Sequence, residues 1–182
     1  MFKKAINYAL KYGALAAVIC MAVAMIQYYG LEKSPFGRYK APAFGINIIF
    51  ILVATWSYRA NNAGILSFTE GFTVGFLTNL FASIITAFCF YVFVEWIDGP
   101  FGKNQAILYW VDENIRSVER IKLTHIHNFG QKEYDSLLLQ AKIIPTAGQV
   151  FIDEIVKKQL CIVGVSIISI IFRRHQFIIK NS

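Results

Sequence analysis

From Gly71 to Val94 the chain carries no Asp, Glu, Lys, Arg or His, and the apolar run continues past Glu95 to Trp96. Crossing the hydrocarbon of a bilayer takes about 20 predominantly apolar residues as a helix, because lipid offers backbone N–H and C=O groups no other partner. As a helix, Gly71–Trp96 measures about 39 Å at 1.5 Å per residue, against a core of about 30 Å, so it tilts or projects beyond the bilayer. Composition agrees. The chain is 56% hydrophobic and 16% charged, where soluble domains run nearer one half and one quarter. The excess gathers in four blocks.

The first block, residues 12–29, follows Lys3, Lys4 and Lys11 and ends in the interfacial pair Tyr28-Tyr29. Ala22-Val23-Ala24 resembles a signal-peptidase site, but the apolar run passes through it into Met25 and Ile26, which favours an uncleaved span. The second block, 41–58, opens with Pro42, suited to a first helical turn, and closes with Trp56 and Tyr58. The third, 71–96, is expected to end at Asp98-Gly99-Pro100. The fourth, 151–172, has only the stretch Gln159–Phe172 free of charge. Snorkelling by Lys157 and Lys158 would lengthen it, with Asp153/Lys157 and Glu154/Lys158 as exposed i,i+4 pairs and Pro145 near its start.

The only sizeable polar segment lies between the third and fourth blocks, about 97–150. Ile107, Val111, Ile115 and Val118 form an amphipathic stripe. Gly130 is a stop, and Tyr134, Leu137, Leu138 and Ala141 share one face of a second short helix. These helices lie on the membrane surface or fold back over the bundle. The expected fold is all-α: an integral membrane four-helix bundle, one domain over 1–182, with an amphipathic helical extramembrane segment between spans 3 and 4.

The net charge is +7. The basic residues flank the apolar blocks and are not interleaved with exposed aromatics, so the bilayer is the expected partner and nucleic acid is not. Four spans put both termini on one side. That side holds Lys3, Lys4, Lys11, Arg59, Arg173, Arg174 and Lys180 against Glu70 alone, whereas the other side is nearly balanced. The positive-inside bias makes the terminal side cytoplasmic, despite Lys33, Arg38 and Lys40 opposite. A bacterial inner membrane is the expected location.

Gly71, Gly75, Asn79, Ser83 and Ala87 recur every four residues in the third block. Small residues at that spacing let helix backbones approach, as a packing seam within the bundle or a seam between copies. Ala16, Cys20 and Ala24 are a weaker version in the first block. Asn47 and Asn79 are amides that need partners across the bundle. No ionisable residue is expected at mid-depth, which argues against a proton-coupled transporter. Cys20, Cys89 and Cys161 lie inside apolar blocks without CxxC spacing, so neither disulfides nor zinc are expected. His125 and His127 point about 200° apart on a helix and do not share a metal site. His175 reads as tail, and Asp112-Glu113 as solvated acids. No hydrolase, phosphate-loop, zinc or nucleotide motif is present, so no catalytic residue and no cofactor are nominated.

The stretch from Asn62 through Leu66-Ser67-Phe68 to Trp96-Ile97-Asp98, with the early Lys11-Tyr12-Gly13, resembles the four-span inner-membrane proteins of domain-of-unknown-function family 4199 (DUF4199), typical of Bacteroidota. Where that family ends its third span with Ile-Asp-Pro, this chain has Ile97-Asp98-Gly99-Pro100. The likeness covers nearly the whole chain. It implies topology and envelope location but no activity. Ser67, with Glu70 three residues on, fits a capping box for the third helix. The leading expectation is a non-enzymatic inner-membrane protein acting through contacts with another membrane or envelope protein, with homo-oligomers as one form. A small transporter or oligomeric channel subunit is the alternative, with Asn47, Asn79, Thr78 and Thr86 along a polar route. A membrane enzyme drawing on Asp98, Asp112, Glu113, His125 and His127 ranks third.

Overall fold

The computed structural model describes residues 2–37 and 41–173. Arg38, Lys40, Arg174, His175 and Lys180 lie outside the described residues. Four helices are long and apolar enough to cross a membrane: Phe2–Gly30, Pro42–Ala60, Phe68–Gly102 and Ala147–Phe172.

Helix α1, Phe2–Met25, continues as a π-helical turn over Ile26–Gly30. Helix α2 is Ala41–Ala60. Helix α3, Phe68–Val92, starts at the Ser67/Glu70 capping box: Glu70 N donates to Ser67 Oγ at 3.2 Å and Ser67 N to Glu70 Oε2 at 2.9 Å. It passes through a π-helical stretch, Phe93–Asp98, into the short α4, Gly99–Gly102. Asp98-Gly99-Pro100 therefore does not break the rod as the sequence implied. Pro100 falls in the first turn of α4, where no N–H is required of it. The turn comes at Lys103 and Asn104, both left-handed, with φ of +52° and +60°.

Helices α5 (Gln105–Arg120), α6 (Lys122–Phe129) and α7 (Gln131–Ala141) make up the extramembrane segment. Gly130, at φ +89°, ends α6. Helix α8, Ala147–Lys158, begins at a second capping box, Thr146/Gln149. A 3₁₀ turn, Gln159–Cys161, joins it to α9, Ile162–Phe172. Each of the four long helices begins before the apolar block that announced it, or runs on past it.

Helix α3 packs against α1, α2, α8 and α9. Against α1 the backbones nearly touch: a Cβ on Gly13 would lie 2.9 Å from both Phe81 Cβ and Thr78 O. The buried face of α1 is correspondingly small: Ala5, Ala9, Gly13, Ala16, Ala17, Cys20 and Ala24. On its other side α3 meets the fourth span, where a Cβ on Gly75 would be 2.9 Å from Val165. Large apolar side chains face outward instead, among them Val18, Ile49, Phe88, Val163 and Ile170. A small and polar interior inside an exposed aliphatic shell inverts the layout of a water-soluble bundle, and suits a lipid surround.

Candidate functional sites: the polar interior and the extramembrane arm

The buried stripe of the fourth span repeats at three- and four-residue steps: Ala147, Val150, Glu154, Lys158, Cys161, Val165 and Ile168. Two of these are charged. Glu154 and Lys158 are each 2% exposed, and Lys158 Nζ meets Glu154 Oε1 at 3.1 Å. This corrects the reading of that pair as exposed and snorkelling. The other i,i+4 pair, Asp153–Lys157, at 2.9 Å, is half-buried. The Glu154–Lys158 pair also bears on the expectation that no ionisable residue lies at mid-depth. Lys158 lies eleven residues from one end of its helix and fourteen from the other, so this span has an ionisable pair at mid-length. The spacing that places both residues on the buried stripe was present in the sequence.

The pair anchors a polar cluster. Lys158 Nζ donates to Thr86 Oγ1 at 2.9 Å. Asn79 Nδ2 donates to Lys158 O at 3.2 Å, a carbonyl at the join between α8 and its 3₁₀ turn. Asn47 Nδ2 donates to Asn79 Oδ1. The two amides thus link α2, α3 and the fourth span. A cavity of about 10 Å³, the room one water needs, is lined by Cys20, Gln27, Ala43, Thr86, Phe90 and Glu154, among others.

The seam residues Gly71, Gly75, Asn79, Ser83 and Ala87 are all buried within the single chain. Gly71 and Gly75 face Ser169 and Val165 of α9. The hydroxyls between them are satisfied along their own helix: Thr78 donates to Val74 O and Ser83 to Asn79 O. Thr86 donates to Ala82 O at 2.7 Å while accepting from Lys158. Such back-bonding lets hydroxyls sit in an apolar interior without an outside partner.

Asp98 is a second buried carboxylate, 1% exposed. Tyr28 Oη donates to Asp98 Oδ1 at 2.6 Å, and Ala106 N to Oδ2 at 3.0 Å. One side chain therefore ties the end of the first span, the end of the third and the start of α5. A Cβ on Gly102 would collide with this carboxylate and lie 3.2 Å from Tyr28 Oη, so a larger residue there would displace the Asp98 carboxylate from its partners.

The loop after the first span packs on α5. Ser34 Oγ donates to Ala106 O, and Phe36 is buried against Phe90 and Trp110. Loop and helix together form a charged cleft of about 220 Å³, lined by residues that include Glu32, Lys33, Tyr109, Asp112, Arg116 and Arg120. Beyond the cleft, α6 and α7 pack on α5 and on each other and make little contact with the spans. The start of α5 thus packs on the end of the bundle through Ala106, Ile107 and Trp110, and α6 and α7 form an arm that extends from it.

Asp98, Asp112, Glu113, His125 and His127 are not gathered into one site. Asp98 is at the root of the arm and the two acids are midway along α5, where Asp112 is exposed but Glu113, read as solvated, is buried. At the tip, His125 packs against the Phe129 and Tyr134 rings while His127 is exposed. Among the described residues no group of three or more His, Cys, Asp or Glu could hold a metal.

No curated protein and no solved structure matches the chain. Residues 11–174 match the family described as "Protein of unknown function (DUF4199)". That match spans most of the chain and includes the capping box, the seam, Asp98 and the arm, so the protein belongs to the DUF4199 family.

Proposed function

We propose that the protein is a non-enzymatic, multi-pass component of a bacterial inner membrane that acts through contacts of its extramembrane arm with another envelope protein. The observation that carries this is the arm itself. Helix α5 is rooted in the core at the bundle's end and presents a charged cleft, while α6 and α7 pack on α5 and on each other and add little to the bundle. Structure that contributes little to the stability of its own fold is available for recognition. The excess of Lys and Arg on the terminal side supports cytoplasmic termini, which would put the arm outside the cytoplasmic membrane.

Photo-crosslinking side chains at Asp112 and Arg116, both exposed on α5, test the reading in native membranes. A discrete adduct with a second protein, or with a second copy, is the expected result. Recovery only of contacts inside one monomer would overturn it.

The buried Glu154–Lys158 pair favours a second reading, a small transporter or channel subunit. Ionisable groups within membrane helices commonly mark ion or proton paths. Reconstituted vesicles would then show a flux that Glu154→Gln abolishes. No flux across a panel of ions and small solutes would remove it.

A further inference from the structure

We infer that the tip of the arm is a seat for an anionic lipid surface, into which α6 lies flat. Leu123, Ile126 and Phe129 recur every third residue and span an arc of about 120° on α6. Leu123 is 83% exposed and Phe129 65%. Along the chain the stripe lies in an acid-free interval. Between Glu119 and Glu133 the chain carries Arg120, Lys122 and Lys132, all exposed, and no acid. His125 and His127 fall in the same interval. A short helix that exposes Leu123 and Phe129 within a basic interval suits the boundary between headgroups and acyl chains.

Two observations select lipid over a protein groove. The first is charge: anionic headgroups complement an acid-free basic interval. The second is continuity. At the roots of the arm Phe101 is 85% exposed and Ile143 and Ile144 are bare, each within four residues of a membrane helix end or start. The uncovered apolar surface of the spans thus runs on into the arm. The inference does not rest on a partner at the α5 cleft and stands if that partner is never found.

The test uses the full chain in nanodiscs of phosphatidylcholine, with or without phosphatidylglycerol. A bimane probe is attached through Leu123→Cys with a membrane-impermeant reagent; Cys20 and Cys161 are buried, and unsubstituted chain reports any labelling of Cys89. With phosphatidylglycerol present, we expect blue-shifted emission, quenching by headgroup-proximal spin-labelled lipid, and several-fold protection from iodide. The triple variant Arg120→Glu/Lys122→Glu/Lys132→Glu, altered only at exposed positions, should lose that protection with an unchanged melting temperature. Equal iodide quenching in both lipids overturns the proposal, because the tip is then in water or held without regard to charge. Protection that survives the triple variant, or that tracks a crosslink to a second copy, overturns it as well.

Discussion

Lys158 reaches Thr86 and Glu154 at 2.9 and 3.1 Å from inside a bundle whose walls are aliphatic. Removing one member of a buried ion pair is far costlier than removing both, because the survivor loses its counter-charge without regaining water. Lys158→Met is expected to lower stability in mild detergent by about 3–5 kcal/mol, measured by thermal or denaturant unfolding. The double variant Glu154→Gln/Lys158→Met is expected to recover most of that loss. Equal damage from single and double variants would show that packing, and not charge, sets the cost. Asp98 makes a parallel case at the edge of the membrane. Asp98→Asn keeps the volume but removes the charge from its hydrogen bonds with Tyr28 and the Ala106 amide. Charge-assisted bonds contribute about 1.5–3 kcal/mol each. The variant should melt earlier, with faster hydrogen exchange at the start of α5.

At the scale of the helix, most of the architecture was legible, and for a definite reason. Long charge-free runs admit few folds, so the positions of the four spans follow from the sequence. Their ends do not. Lys3, Lys4 and Lys11 read as a flank, yet α1 begins at Phe2, because lysines at the edge of a bilayer extend into the headgroups without ending a helix. Asp98-Gly99-Pro100 read as a stop, yet the backbone absorbs it by widening to a π-helix, a choice that depends on Tyr28 and Ala106 being there to engage the carboxylate. The i,i+4 spacing alone does not tell the buried Glu154–Lys158 pair from Asp153–Lys157, because both pairs share it. The phase comes from Val150 and Cys161, on either side. The start of α3 carries its own prediction. Ser67→Ala should cost about 0.5–2 kcal/mol, read as a lower melting temperature. Gly13→Leu should cost more than Ser67→Ala, since its side chain would drive α1 from α3 where Thr78 O and Phe81 Cβ lie 2.9 Å from the added Cβ.

The whole molecule has two unlike ends. One gathers the start of α1, the 61–67 turn and the end of α9: Lys4 Nζ donates to Asn61 O at 2.6 Å, and the Arg59 guanidinium lies 5.9 Å from the Phe172 ring. The other end gathers the loop after the first span, the Asp98 clamp and the arm. A reporter domain fused after residue 173 and a second one inserted at Gly130 should therefore give opposite compartment signals. Identical signals from the two sites would show that the fourth helix, Ala147–Phe172, does not cross. The buried pair also bears on how the protein is made. A helix leaving the insertion machinery with Asp153, Glu154, Lys157 and Lys158 faces about 2.5–3.5 kcal/mol for each charge near its centre. Thr86, which meets Lys158, sits on a helix that emerges earlier in synthesis. The last segment is thus a poor candidate for entering lipid alone, and its residence there depends on the first three being assembled to receive it, so the order in which the ribosome delivers the chain is also the order in which the membrane can accept it.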